Sequence, residues 1–290
     1  MQLARPANVV TALSDVLAGF AVTGLYSSGV IETGSLVALV WLLIATAGLY
    51  AGGVVFNDVF DARLDAAERP QRPIPSGRVS QGAAAVFGGL LLLGGIAAAL
   101  QVSQFSGVLA AMIALTAVAY DAYGKHLEWL GPLNMGACRG LNLLLGMSAL
   151  PASVPQLWFL ALIPIVYIAS ITLISRGEVH GGTRSAGIAA LALIGLLGAG
   201  VLLLGLTERF VLLAAAPFLI LFWWFVVPAF VKAAQRPTPE LIRAAVKTGV
   251  IMLIALNAAI AAGFAGIWYG LAVLMLLPVS IALARAFAVT

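Results

Sequence analysis

Residues 36–65 read LVALVWLLIATAGLYAGGVVFNDVFDARLD, an apolar run that ends abruptly in an asparagine and three aspartates. The apolar part is about as long as the roughly 20 residues that a helix needs to cross the hydrocarbon layer of a bilayer. It lacks the polar/apolar alternation of a barrel strand. The stretch therefore predicts a transmembrane helix that carries a polar cluster at its end.

Similar apolar runs recur along the whole chain. Of its 290 residues, 62% are hydrophobic and 9% are charged, with a mean hydropathy of +1.09, whereas about 25% of residues are charged in soluble domains. We therefore predict an all-α polytopic transmembrane bundle of nine or ten spans, with residues 1–290 as one domain. The predicted spans cover residues 8–28, 35–56, 82–101, 104–120, 131–149, 156–175, 185–205, 209–231, 243–263 and 266–286.

The basic residues fall almost entirely on one side of these spans. The loops on that side contain the clusters at 63–78, 176–184 and 232–247, whereas the other side has only Arg209. The positive-inside rule makes the basic side cytoplasmic, together with both termini if there are ten spans. We predict a multi-pass protein of a prokaryotic cytoplasmic membrane. The net charge of +4 then reflects topology and contact with membrane lipid, and offers no evidence for nucleic-acid binding.

The polar end of the second span has a spacing that favours a metal site. Asn57, Asp61 and Asp65 are successive i+4 neighbours on a helix, and Asp58 lies three residues before Asp61. Their oxygens therefore converge on one face. Carboxylates this close repel one another unless a cation lies between them. Oxygen ligands that leave room for water and phosphate suit Mg²⁺.

The loop after this cluster places arginines near the acidic face. Residues 69–78 read RPQRPIPSGR, and their prolines make the loop stiff. Arginines beside a carboxylate-bound metal would form a phosphate or diphosphate pocket. The alternative is a solvated acidic helix end paired with Arg63 and Arg69, but that predicts scattered charges and no convergence.

The run from Asn57 to Asp65, followed by RPIPSG at 72–77, resembles the first aspartate-rich motif and loop of the UbiA superfamily of intramembrane prenyltransferases. The resemblance extends over about the whole chain, and within the superfamily the chain looks most like the EboC group. It implies helices around a central cavity open sideways to lipid. Two aspartate motifs there bind Mg²⁺ and the diphosphate of a polyprenyl donor, whose chain lies in an apolar tunnel. Loss of diphosphate yields an allylic cation that a lipophilic acceptor attacks.

The resemblance also assigns roles to the first motif. Asn57, Asp58 and Asp61 match the metal positions of the family, Asp65 supports them, and Arg72 matches an arginine that binds diphosphate. The protein would then act mainly by stabilising charge on the leaving group in a site shielded from water.

The fourth span ends in YDAYGKH at 120–126, which resembles the tyrosine-and-lysine segment of the family. On this interpretation Lys125 contacts phosphate, and Tyr120 and Tyr123 line the acceptor site. Asp121 orients the acceptor or stabilises positive charge. The alternative for Lys125 is an ordinary interfacial side chain that extends its amine to water.

Arg139 lies about two helical turns inside the fifth span, where a cation is costly and is usually paired or functional. Asn134 and Asn142 flank it on the same helix. We expect Arg139, with Asn134, to bind a phosphate or carboxylate, and the alternative is a purely structural pair. For Asp15 in the first span, a functional role and a structural partner such as Asn8 or a neighbouring helix remain equally open.

The second family motif should follow the sixth span, where the chain reads SRGEVHGGTR at 175–184. The family usually has two aspartates four residues apart at this place. Here Glu178 is the only carboxylate, His180 is the other possible ligand, and Arg176 is a possible substrate contact. Because one carboxylate of the family motif is missing, the protein could bind a single metal, use a smaller prenyl donor, or bind its ligand without catalysis.

We predict a Mg²⁺-dependent prenyltransferase that moves an isoprenoid from a polyprenyl diphosphate onto a lipophilic acceptor, either aromatic or otherwise cyclic. Asp58, Asp61, Asp121 and Lys125 are its predicted catalytic residues. The alternative is a non-catalytic protein of the same fold that binds or transports an isoprenoid or a small metabolite. A secondary transporter would be expected to show paired Gly/Pro-interrupted spans in its two halves, and the prolines inside these spans do not pair in that way.

Overall fold

The computed structural model describes residues 6–27, 30–127 and 130–286, which form an all-helical bundle with one very short antiparallel strand pair. The α-helices are α1 Pro6–Val22, α2 Thr33–Phe60, α3 Ala62–Glu68, α4 Gln81–Leu100, α5 Gln104–Ala122, α6 Leu130–Met147, α7 Val154–Leu157, α8 Leu162–Ser175, α9 Arg184–Leu204, α10 Leu212–Gln235, α11 Pro239–Ala265, α12 Ile267–Leu274 and α13 Leu276–Ala286. The strands are β1 Tyr26–Ser27 and β2 Val30–Ile31, and 3₁₀ turns cover Gly124–His126, Pro151–Ser153 and Trp158–Ala161.

The predicted fold class is confirmed. Among the described residues, seven helical segments are long and apolar enough to cross a membrane: α2, α4, α5, residues 151–175, α9, α10 and α11. The remaining three predicted spans coincide with α1, α6 and the broken pair α12–α13, which are shorter or more polar. In α6 the polar residues Asn134, Arg139 and Asn142 lower the hydropathy. Spans beyond the seven stay a prediction.

The outward surface of the bundle is apolar. Leu90 and Leu93 on α4 are 64% and 65% exposed, and Trp224 on α10 is 74% exposed. Soluble proteins rarely expose contiguous apolar patches of this kind. These exposed apolar side chains are suited to contact with lipid, in agreement with an integral membrane protein.

Glycines bring α2 and α4 close together. A Cβ at Gly48 would lie 2.9 Å from the carbonyl oxygen of Leu91, and a Cβ at Gly95 would lie 2.9 Å from that of Ala45. Small residues at such contacts let transmembrane helices approach closely. The close contact fixes the position of α2, which carries the aspartate cluster.

The innermost helix is α11. All residues from Met252 to Gly263 are buried, and it packs against α1, α8, α10 and α12. A helix that is apolar on all sides is suited to such a position. Its one buried asparagine, Asn257, contacts α1 in a polar cluster described below.

Candidate functional site

The aspartate cluster lies at a bend between α2 and α3. Asp61 leaves the helical conformation and separates the two helices. The i to i−4 hydrogen bonds nevertheless continue, because Asp61 N donates to Asn57 O at 2.9 Å and Asp65 N donates to Asp61 O at 2.8 Å. The four-residue spacing therefore survives the bend.

Two basic side chains neutralise the aspartates. Nη1 of Arg72 lies 2.7 Å from Oδ2 of Asp65 and 3.5 Å from Oδ1 of Asp58. Lys125 forms an ion pair with Asp61. The expected repulsion among carboxylates is thus relieved by protein cations, and Lys125 takes part in the cluster instead of extending to the membrane interface.

The proline-rich loop holds Arg72 over the carboxylates. Arg72 N donates to Arg69 O and Ser76 N donates to Arg72 O, both at 3.0 Å. Gly77 has a φ of +72°, a conformation that suits glycine. The guanidinium of Arg78 donates to the carbonyl of Gln71 and to Oγ of Ser76. The loop is therefore closed by its own hydrogen bonds, and Arg72 is the arginine directed at the acidic face.

A cavity of about 360 Å³ begins beside this cluster and runs between α2, α5 and α6. The end of the cavity next to the aspartate cluster, called the outer end below, contains Asn57, Asp121 and Glu178. There, Nδ2 of Asn57 donates to Oδ1 of Asp121 at 2.9 Å. Its apolar walls include Leu49, Gly53, Val54, Ile113, Ala117 and Met135. Its inner end is polar again, with Thr46, Tyr50, Arg139 and Asn142.

Glu178 is the residue of the second motif that reaches the cavity. Burial raises the pKa of its carboxyl group, and the charges of Arg69 and Arg243 partly oppose that rise. The chain around it bends back at Gly181, whose φ is +83°. Glu178 thus shares one cavity with Asn57 and Asp121, as expected if two motifs enclose one ligand.

Four predicted substrate contacts lie elsewhere. Tyr123 is 77% exposed because α5 ends at Ala122 and Tyr123 no longer follows the helical face of Tyr120, which does line the cavity. His180 is exposed on the turn. Arg176 donates to the carbonyl of Leu127 at 2.6 Å and lines a second cavity. Asn134 is half-buried and lies next to Gly124. These four do not line the main cavity, and their assignment as substrate contacts stays a prediction.

Arg139 pairs with the carboxylate of Asp15, which is the structural pair named above as the alternative to a bound phosphate or carboxylate. Nε of Arg139 lies 2.9 Å from Oδ2 of Asp15, although it is not aligned for a hydrogen bond. Asn142 and Asn257 also donate to this carboxylate, at 3.0 Å and 2.7 Å. Sequence reasoning did not find Asn257, whose only signal was an asparagine inside an apolar span. This polar cluster joins α1, α6 and α11.

The donor groups at the outer end fit Mg²⁺. In the part of the chain that the structure describes, no three His, Cys, Asp or Glu side chains are grouped closely enough to hold a metal by themselves. Protein sites for Mg²⁺ commonly supply only one or two carboxylates and take further oxygens from a phosphate ligand. The carboxylates of Asp58 and Asp61 and the amide of Asn57 are oxygen donors of this type, so the site suits a metal that arrives with an anion.

Sequence comparisons identify the relatives of this chain. A model described as the UbiA prenyltransferase family matches residues 16–241. A digeranylgeranylglyceryl phosphate synthase from Methanoregula boonei is 33% identical over 226 residues, covering 77% of this chain and 76% of that protein. One from Methanothrix thermoacetophila is 34% identical over 155 residues, 53% of this chain, and the matched part spans 56% of its length.

Structural comparison finds solved structures with the same fold. A UbiA homologue from Archaeoglobus fulgidus superposes with a TM-score of 0.68 at 19% identity, over 94% of this chain and 98% of that one. A structure of a UbiA homologue from the same organism bound to GPP and Mg²⁺ has a TM-score of 0.55 at 15% identity, with the same coverage. At these identities the likeness demonstrates the fold.

Proposed function

Because the chain belongs to the UbiA prenyltransferase family, we propose that it transfers a prenyl group from a polyprenyl diphosphate to a lipophilic acceptor in a Mg²⁺-dependent reaction. The observation that carries the proposal is the cavity described above. Its outer end adjoins the paired charges of Asp58, Asp61, Arg72 and Lys125, and its walls are apolar. Such a cavity suits a ligand with an anionic head and a hydrocarbon chain. The Archaeoglobus fulgidus homologue bound to GPP and Mg²⁺ supports this choice of donor.

Asn57, Asp58 and Asp61 would hold the metal, with Asp65 behind them and Glu178 opposite. When bound, Mg²⁺ supplies positive charge that stabilises the departing diphosphate. Asp65 contributes indirectly, since its carboxylate holds Arg72 in place at 2.7 Å.

Arg72 and Lys125 would bind the diphosphate. Both are paired with aspartates in the structure, and their remaining N–H groups would donate to the phosphate oxygens of the donor. Charge-assisted hydrogen bonds from an arginine fork and a lysine ammonium are strong contacts for phosphate oxygens. They stabilise the negative charge that grows on the leaving oxygen as the allylic C–O bond breaks and its electron pair moves to the diphosphate.

The apolar walls would keep water from the allylic carbon until the acceptor attacks it. Asp121 lies at the outer end beside Asn57 and offers negative charge near the carbon that becomes positive. Tyr120 lines the same space. The nucleophilic atom of the acceptor forms the new bond to carbon and releases its proton.

Two classes of acceptor remain for this reaction. The sequence predicts an aromatic or other cyclic acceptor, whereas the name of the matched relatives describes a geranylgeranylated glyceryl phosphate. Assays therefore need both a prenylatable phenol and a glycerol-type alcohol.

The test is incubation of purified protein with Mg²⁺, allylic diphosphates of increasing length and both acceptor classes. Released diphosphate and prenylated product are measured together. We expect Asp58→Asn and Asp61→Asn to lower turnover by about 100-fold or more while the protein remains folded. Glu208→Gln is the matched control, because Glu208 is solvent-exposed and lies in the turn between α9 and α10.

The main alternative is an isoprenoid or metabolite binding or transport protein. It predicts Mg²⁺-dependent donor binding without release of diphosphate. Unchanged turnover in both aspartate variants would contradict the assigned site.

A further inference from the structure

The inner end of the cavity carries polar groups that a prenyl chain does not need. Thr46, Tyr50, Arg139 and Asn142 line it, beyond the apolar walls. Charged and polar side chains inside membrane spans are costly and usually serve a function. A hydrocarbon tail that ended here would form no hydrogen bond with them.

We propose that Arg139 forms an acceptor subsite at the inner end of this cavity, one that binds an uncharged hydroxyl or carbonyl oxygen, with Asp15 as its positioning residue. This inference rests on the proposed function, because it assigns the acceptor to a part of the cavity that the donor leaves free.

Asp15 is fully buried and both of its oxygens are engaged. Oδ1 accepts from Asn257 at 2.7 Å, and Oδ2 accepts from Asn142 at 3.0 Å and lies 2.9 Å from Nε of Arg139. The carboxylate does not line the cavity. Its contribution is therefore to fix the guanidinium of Arg139 and to neutralise it.

Arg139 retains a donor group for a ligand. Its Nη2 donates to the carbonyl of Thr11 at 2.9 Å, and Nε faces Asp15, whereas Nη1 has no hydrogen-bond partner among the described residues. The residue is only 4% exposed and lines the cavity, with its guanidinium 5.5 Å from the ring centre of Tyr50. The buried atom of this side chain that lacks a hydrogen bond is Nε, which lies against Asp15. Because Arg139 lines the cavity, a ligand oxygen there can accept a hydrogen bond from Nη1.

The other polar groups at this end are already occupied. Asn142 donates to the carbonyl of Ala12 and to Asp15, and its Oδ1 accepts from Thr46. Arg139 thus differs from Asn142 and Thr46 in that one of its donors, Nη1, has no hydrogen-bond partner among the described residues. Its charge is balanced by Asp15, so a second anion would meet a neutral pair in a medium of low polarity. An uncharged oxygen can accept the hydrogen bond without that cost.

The depth of the subsite agrees with an acceptor. Tyr50 lies seven residues before Asn57 on α2, which corresponds to about 10 Å along the helix axis at about 1.5 Å per residue. A diphosphate held near Asn57 would direct its first carbon inward. An oxygen held near Arg139 would then lie deeper in the cavity than the diphosphate.

The test measures binding in detergent, without Mg²⁺ or donor. The probes are tritiated 1-O-hexadecylglycerol, its 3-phosphate, and its dimethyl ether, which lacks hydroxyl donors but keeps ether oxygens. A fourth probe, hexadecane, has no oxygen. We expect the wild type to bind the glycerol probe more tightly than its phosphate. Hexadecane should bind at least about tenfold more weakly than the glycerol probe, because a tenfold change in affinity corresponds to roughly one hydrogen bond.

Two substitutions test the residues, and one serves as a control. Arg139→Met should lower affinity for the glycerol probe by about tenfold. Asp15→Asn leaves the arginine charge unbalanced, so it should shift the preference toward the phosphate probe, a change that a purely structural role would not produce. Ser106→Ala removes a buried 2.8 Å hydrogen bond between Ser106 on α5 and Ser148, which directly follows α6. Neither serine lines the cavity, so this variant should leave all probe affinities unchanged.

Equal affinities for the glycerol probe and hexadecane in the wild type would overturn the proposal, even if Arg139→Met fails to fold. A wild-type preference for the phosphate probe would contradict the proposed selectivity for an uncharged oxygen. Since the assay contains neither metal nor donor, its failure is distinct from a failure of prenyl transfer, which is measured by diphosphate release.

Discussion

Lys125 and Asp61 form an ion pair although 64 residues separate them in the chain. The pair joins the segment after α5 to the bend between α2 and α3, and both side chains keep some contact with solvent, 15% and 20%. It therefore holds together the two segments expected to bind diphosphate and metal.

Variants of this ion pair distinguish its contribution to stability from its contribution to turnover. Lys125→Gln should lower the free energy of unfolding by no more than about 1 kcal/mol, because a partly exposed pair contributes little, yet it should strongly reduce turnover. The exchanged double variant Asp61→Lys with Lys125→Asp should regain the lost stability and remain inactive. Thermal unfolding and diphosphate release measure the two effects. Recovery of turnover in the exchanged variant would show that the ion pair itself, and not the position of each group, matters.

Mg²⁺ and diphosphate should bind cooperatively. The described residues offer no complete metal site of their own, and Arg72 is occupied by Asp65 and Asp58. Each ligand alone should therefore shift the unfolding temperature only slightly, whereas together they should shift it by more than the sum, with a coupling of about 1–3 kcal/mol. Chelation of Mg²⁺ should abolish the effect of diphosphate. Additive shifts would contradict a site completed by both ligands.

The helical class and the first motif were predictable from local rules. A run of apolar residues requires a helix in lipid, because the backbone must satisfy its own hydrogen bonds there. The spacing of Asn57, Asp61 and Asp65 implied convergence, and the hydrogen bonds that continue through the bend preserve it.

The partners of these groups were not predictable. Arg72 reaches Asp65 only because the loop closes on itself, and Arg139 meets Asp15 only because α1 packs against α6. The sequence indicates that a buried charge needs a partner without indicating which one. The exposure of Tyr123 and His180 was not predictable for a related reason, since the direction of a side chain near a helix end depends on the residue at which the helix stops.

Adjacent glycines in α4 allow a controlled test of helix packing. A Cβ at Gly95 would lie 2.9 Å from the carbonyl oxygen of Ala45, whereas a Cβ at Gly94 has no atom within 4 Å. Gly95→Ala should destabilise the protein by about 1–3 kcal/mol, because backbone cannot move aside easily. Gly94→Ala should be neutral or slightly stabilising, since alanine favours helix. Unfolding in detergent measures both, and equal effects would contradict the α2–α4 contact.

The orientation in the membrane can be decided by cysteine labelling. The loop with Ser76 is predicted to be cytoplasmic because basic residues crowd that side, whereas Thr207 lies in the short connection on the other side. In a Cys138→Ala background, a membrane-impermeant maleimide added to intact cells should label Thr207→Cys and leave Ser76→Cys unlabelled. Cells opened by detergent should show labelling at both positions, which controls for accessibility. Cys138 lines the cavity, so the background variant must first retain turnover. Labelling of Ser76→Cys from outside would show that the predicted topology is inverted and that the aspartate cluster lies on the extracellular side.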